Sequence, residues 1–358
     1  MLTLCATSAW HLPAARPAAA RTHTTRRYGL SMCEPAEVPP VRWMNQIDPT
    51  EPEMKPSSEE ATVMPLFPLG VTYLPYSNHV LNIFEPRYRA MYNDILFNGA
   101  RRFAVCNIDQ ETGRFAEVGV IFYLDELKEV SDQTDDRVKY VGTHSVKGRV
   151  KIKNVLNPQV AATRETYLKA EVEELTDLGG SAGEEAEKAV EDIFLDLVNL
   201  QADLGVEPRF TEAVKSSLEM GLGTSTEDKG LWGTIMLWQQ LLEQRSAVLG
   251  QKMQRDIQKG IITYLKENEL SEKLVNSRGE VRMEDLPPPL LAQIRGIQER
   301  YRDELEAMES DPYGLNFQSI LQSHSHAERL TIFGAILDKE RKRLGARAQL
   351  KAMFGKSS

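Results

Sequence analysis

VMPLFPLGVTYLPYSNHVLNIFEPRYRAMYNDILFNGARRFAVCNID, residues 63–109, changes its apolar period once, from that of a strand to that of a helix. Two short apolar runs, Leu66–Leu74 and Val80–Phe84, are broken by Pro68, Gly70 and Pro75, as strands joined by tight turns are. After Glu85 and Pro86, the residues Tyr88, Met91, Tyr92, Ile95 and Leu96 fall on one helical face. Pro86 suits the first helical position, where a missing N–H costs nothing. Glu85 favours the positive end of the helix dipole and is spaced to reach Arg89. Gly99 stops the helix, and Arg102–Asp109 reads as the next strand. The unit is strand, strand, capped helix, strand.

Downstream the pattern stays mostly β as far as Leu178. FAEVGVIFYLDEL (115–127), RVKYVG (137–142), KGRVKIKNVL (147–156) and TYLKAEVEEL (166–175) alternate in the manner of half-exposed strands. A small twisted sheet around Phe103, Val105, Val118, Val120, Val150, Ile152 and Val172 follows from that alternation. The residues alone support an α+β class, mixed β with one helix.

PLFPLG (65–70), NIFEPRYRAMYNDIL (82–96) and GARRFAV (99–105), in that order and spacing, resemble the start of the LON substrate-binding domain. That is the N-terminal domain of ATP-dependent Lon proteases, also found alone. VGTHSVKGRVKIKNVLNP (141–158) and TRETYLKAEVEEL (163–175) are similar to the stand-alone LON-domain proteins of chloroplasts. The resemblance covers residues 63–178 and, loosely, the helical remainder. It implies a PUA-like β pseudobarrel with the Glu85 helix packed at its side, followed by helices. It also implies a non-enzymatic protein-binding module without cofactor, whose partners are unfolded or regulatory polypeptides and a separate protease.

Beyond GGSAGE (179–184) the chain turns helical, over 184–354. AEKAVEDIFLDLVNLQADL (186–204) is amphipathic, and PRFTEAVKSSLEM predicts a further helix from Pro208. A long helix starts at Leu231 and continues through Gly250 and Gly260. Leu290, Ile294, Ile297, Tyr301, Leu305 and Met308 step by threes and fours, so that segment folds back as a helical hairpin. A last helix runs from about His326 to Met353. WQQLLEQR (238–245) and LDKERKRL (337–344) echo stretches of the helices that end the family's domain.

Residues 1–33 carry Arg16, Arg21, Arg26 and Arg27, many Ala, Thr and Ser, and no acidic residue. This is the composition of an organellar transit peptide, the alternative being a disordered cytosolic tail. Removing those arginines takes the net charge from −9 to −13. A plastid destination, rather than the mitochondrion, leans on the family resemblance. The Pro- and Glu-rich residues 34–62 read as a flexible linker. With 41% apolar and 27% charged residues the chain has the composition of a globular protein, and no apolar stretch reaches the length of a membrane span.

Signatures of catalysis are missing from the sequence. Cys5, Cys33 and Cys106 have no paired spacing, which speaks against a disulfide framework or a zinc site. Gly355-Lys356-Ser357 lacks the first glycine of a P-loop. His324 and His326 in SHSH read as surface residues of a loop, and the acidic pairs at 125–126, 173–174 and 184–185 as solvated faces. KERKRLGAR, at 339–347, reads as an exposed helix face, and the acidic balance speaks against nucleic acid as a partner. An RNA-binding PUA-like barrel and an enzyme without recognisable motif are the two alternatives to the protein-binding reading.

In FEPRYR, the residues Phe84, Glu85, Pro86, Arg87, Tyr88 and Arg89 form a structural motif. Glu85, Arg87 and Arg89 cap and brace the helix while Phe84, Tyr88 and Tyr92 pack inside. Exposed apolar residues at Phe67, Pro68, Leu74, Pro75 and Tyr76 are the expected groove for unstructured peptide.

Overall fold

The structure is a computed structural model that describes residues 3–4, 37–109, 111–179, 182–223, 228–268, 280–281, 286–308 and 314–354. The chain divides into two compact units: residues 29–239 with 313–358, and residues 1–28 with 240–312. The transit-peptide reading of 1–33 lies outside the described residues apart from Thr3–Leu4, and Gly355–Ser357 lies outside them altogether.

Six strands make the larger unit: β1 (Thr62–Leu69), β2 (Asn78–Ile83), β3 (Arg102–Asn107), β4 (Val118–Glu129), β5 (Tyr140–Val155) and β6 (Leu168–Glu174). The order β5-β4-β3-β1-β6 closes on itself because β6 also pairs with β5. The result is a closed five-stranded mixed barrel in which only β1–β3 is parallel. β5 has 16 residues and serves two partners along one edge, β2 through Tyr140–Ser145 and β6 through Val150–Val155.

Period two sorts the core onto two faces. Leu66, Ala104, Ile121, Val150, Ile152, Ala170 and Val172 form the barrel interior. Phe103, Val105, Val118 and Val120 are buried on the opposite face, so the expected single cluster is in fact two. The outer face is covered by α1 (Pro86–Phe97), which buries Tyr88, Met91, Tyr92 and Ile95. The helix is bounded as its sequence dictates, with Pro86 in the first turn and Gly99 at φ +72° just beyond the Asn98 cap.

FEPRYR departs from expectation in two ways. Phe84 is 55% exposed, because Ile83 takes the inward position at the end of β2 and its neighbour must point out. Glu85, extended ahead of the proline, pairs with Arg87 at 2.8 Å, while Arg89 forks onto Asp136 at 2.8 and 2.9 Å. Asp136 is delivered by the left-handed turn at Asp135–Asp136 that follows the single helical turn α2 (Ser131–Thr134).

The stretch before β1, read as linker, is bonded along the barrel. Met44 N–H donates to Phe115 O, Met54 N–H to Leu156 O, and the Ser57 hydroxyl to Glu171. Another single turn, α3 (Val160–Thr163), adds Val160 to the barrel interior.

Helices complete the unit: α4 (Glu184–Leu204), the first residues of α5 (Leu231–Glu267), α7 (Leu315–Leu321) and α8 (His326–Phe354). α4 opens on Glu184, Glu185 and Glu187, which suit its dipole, and ends at left-handed Gly205. Its Phe194 packs against Phe210, Trp238 and Phe333. The helix expected from Pro208 is a 3-10 segment, Glu212–Ser217. Phe210 is pinned beforehand, its N–H on Gln201 Oε1 and its ring on Phe194, which holds the backbone out of a helix.

In the smaller unit the remainder of α5 runs unbroken through Gly250 and Gly260 and packs against α6 (Pro288–Met308). Lys252 reaches Glu304 while Asp256 accepts from the Tyr301 hydroxyl, the register of an antiparallel hairpin. Thr3–Leu4 pairs in parallel with Glu280–Val281.

Candidate functional site

A cleft of about 250 Å³ opens on the outer face of the barrel in the larger unit. Arg149 comes from the middle of β5, opposite Val120, and points away from the barrel interior that its neighbour Val150 fills. Asp177 lies three residues beyond β6, where Leu175 N–H bonds to Arg149 O and fixes the strand exit. Arg329 sits in the first turn of α8, and Trp232 in the first turn of α5.

Asp177 is shared by the two guanidiniums. Arg149 Nη2 donates to Asp177 Oδ1 at 2.5 Å, and Arg329 donates to both carboxylate oxygens. Arg149 Nη1 also donates to the carbonyls of Leu321 at 2.9 Å and Ser323 at 2.6 Å. The Trp232 ring lies under both cations, 4.5 Å from Arg329 Cζ and 5.7 Å from Arg149 Cζ. Burial first, and then the charge of Arg329, lower the Arg149 pKa to about 10. For Asp177, burial pushes upward, but the bonds and charge of Arg329 and Arg149 outweigh it and hold the carboxyl below its ordinary value. Beside them, buried His326 lines the cleft and lies 3.0 Å from Glu187 Oε1.

His326 therefore corrects the surface reading for one of the two SHSH histidines, while His324 is exposed in the loop before α8. The segment is folded onto the unit because Leu178 N–H bonds to His324 O, and α8 starts at His326 itself. A usable signal was there: Ser325 and Glu328 have the spacing of a capping box, and Ser325 Oγ accepts from Glu328 N–H at 3.2 Å.

The expected peptide-contact residues separate. Pro75 and Tyr76 line the cleft. Phe67 and Leu74 do not reach solvent, at 7% and 1% exposure; Phe67 stacks on Tyr88 with ring centroids 3.8 Å apart. β1 is buried on both faces, by the barrel interior and by α1, so both Leu66 and Phe67 are core. Pro75 is buried as a wall of the cleft, and Pro68 is half-buried at the end of β1. Tyr76 has φ +64°, a left-handed backbone that few aromatic residues adopt, secured by its N–H on Val146 O.

No group of three or more potential metal ligands occurs among the described residues. Cys106 is buried in the barrel, with its thiol pKa pushed up by burial, the opposite of an activated nucleophile. Asp177, the one carboxylate among the described lining residues, is taken by two arginines. The arrangement can bind and orient a group; among the described lining residues no nucleophile is paired with a base.

Residues 63–339 match the ATP-dependent protease La (LON) substrate-binding domain, so the barrel and the helices fall within one family match. The chain belongs to the LON substrate-binding domain family. Among solved structures, the Lon N-terminal domain protein from Xanthomonas campestris aligns at 20% identity, over 49% of this chain and 98% of that one, with a TM-score of 0.29. The N-terminal domain of the Mycobacterium avium complex Lon protease aligns at 13% identity, over 40% and 70% of the two chains, with a TM-score of 0.30. No curated protein matches the sequence. In this LON domain the FEPRYR motif opens α1 on the barrel, and none of its residues lines the cleft.

Proposed function

We propose that this LON-domain chain is a non-enzymatic polypeptide-binding module that serves as an adaptor in plastid protein quality control, presenting unfolded or regulatory chains to a separate protease. The observation that carries the reading is the match of residues 63–339 to a substrate-binding domain. The cleft rim of Pro75 and Tyr76, with Pro68 nearby in sequence, is the proposed contact surface. The plastid assignment draws on the Arg-rich, acid-free residues 1–33.

An RNA-binding role for the barrel is disfavoured by a net charge of −9. Titration of labelled denatured protein and labelled RNA, each at low and high salt, separates the readings. The adaptor reading expects polypeptide binding with weak salt dependence, without ATP hydrolysis or proteolysis. Binding of RNA alone, with affinity falling steeply as salt rises, would sink it. So would cleavage of a client by the purified protein.

A further inference from the structure

Two cations and one anion face the cleft, and the donors do not balance. Each guanidinium has five N–H groups. Arg149 spends three of them, on Leu321 O, Ser323 O and Asp177. Arg329 also spends three, two on Asp177 and one on Ser323 Oγ. Its Nε is buried and has no acceptor among the described residues, although the Arg329 side chain is only 2% exposed. A buried donor left without an acceptor is costly, and a guanidinium more so.

The nearby acids Glu328 and Glu187 place their hydrogen bonds elsewhere, although the charge of Glu328 still favours the Arg149 cation. Glu328 Oε2 accepts from the His324 amide at 2.7 Å, and Glu187 is engaged by His326. Neither makes an ion pair with Arg149 or Arg329 among the described residues. Among the described residues that line it, the cleft thus carries two guanidiniums and one carboxylate, with planar forks on its floor and Trp232 and Tyr76 as walls.

From this geometry we infer that the Arg149–Arg329 cleft takes a single carboxylate of the bound polypeptide, from its C-terminus or from an acidic side chain. The inference deepens the polypeptide-binding reading and rests on it. A monoanionic, planar group suits the surplus of one charge and the guanidinium forks. A phosphate would bring a second negative charge against Asp177. The volume, about 250 Å³, falls below the roughly 300–1,000 Å³ of a site for a drug-sized ligand and is of the size for one residue.

Gly148 supplies a clean test. It lines the cleft, and a Cβ built there meets nothing within 4 Å, so Gly148→Leu adds bulk at the lining without a Cβ clash. The full chain is titrated with a short acetylated Ala/Leu peptide in three forms: free C-terminal carboxylate, C-terminal amide, and amide with one internal Glu. Labelled denatured protein is titrated in parallel. The free carboxylate should bind about tenfold tighter than the plain amide, as one charge-assisted fork warrants. Gly148→Leu should abolish that preference while melting like wild type, and Arg149→Gln should abolish it too. If the internal Glu restores affinity to the amide, the side-chain source is served as well; if it does not, the site reads the chain end. Equal affinity for all three peptides, with denatured protein still bound, overturns the carboxylate site and leaves the adaptor reading standing. Failure of denatured protein to bind at all overturns both.

Discussion

The Tyr92 hydroxyl lies 2.7 Å from His144 Nε2, where α1 meets the outer face of β5. Both residues are fully buried. A neutral imidazole can accept the tyrosine hydrogen at Nε2 while its Nδ1–H faces His79 O at 3.4 Å. Burial lowers the His144 pKa from 6.5 to about 4.

That depression makes stability depend on pH in a stated direction. Between pH 6.5 and about 4 the unfolded chain binds a proton that the native chain refuses. The contribution is therefore complete above pH 6.5 and is lost as pH falls toward about 4, up to about 3 kcal/mol in all. His79, whose pKa is also lowered by burial, acts in the same sense. Urea unfolding at several pH values checks this. The double variant Tyr92→Phe/His144→Leu, which removes both polar partners together, should flatten the profile relative to wild type.

Truncation along α1 should separate packing from surface charge. Tyr92→Ala empties a site with no exposure and should cost about 3–5 kcal/mol. Tyr92→Phe keeps the ring and strands only His144 Nε2, so about 1–2 kcal/mol is expected. Glu85→Ala removes a partly exposed pair with Arg87 and should change stability by less than about 0.5 kcal/mol. Thermal unfolding of the three variants in that order tests the ranking.

Asp177 should prove more important to stability than either of its arginines. Asp177→Ala leaves two buried guanidiniums facing each other without a counter-charge, at a cost of about 3–5 kcal/mol. Arg329→Met still leaves Arg149 on the carboxylate and places an apolar chain beside Trp232, so the loss should be smaller. Denaturant midpoints for the two variants decide it; equal losses would mean that Arg149 and Asp177 are not coupled.

The fold was legible where one face of an element is apolar and the other polar. Tyr88, Met91, Tyr92 and Ile95 gave α1 outright, and Pro86 and Gly99 gave its ends. β1 misled, because a strand buried on both faces has no alternation to read, and Phe67 was assigned to the surface. The cleft was harder. Arg149, Asp177, Trp232 and Arg329 are each ordinary in their local sequence and converge only through barrel closure and the placement of α8. Pro75 is visible in the sequence as a turn residue and Tyr76 as an exposed aromatic, and Tyr76 marks the site through a backbone angle that sequence does not announce.

That angle supports a last expectation. An aromatic residue at φ +64° carries backbone strain of about 1–3 kcal/mol, which glycine would not. Glycine in turn costs about 0.5–1 kcal/mol through the freedom it adds to the unfolded chain. Since the Tyr76 ring is only half-buried, these effects largely offset, and Tyr76→Gly should melt within about 1 kcal/mol of wild type. If the ring is held there to meet a polypeptide, Tyr76→Gly should nevertheless weaken binding of denatured protein by about tenfold, while Tyr76→Phe binds as wild type does. A Tyr76→Gly variant that binds normally would remove the cleft rim from the contact surface and leave the left-handed tyrosine without a functional account.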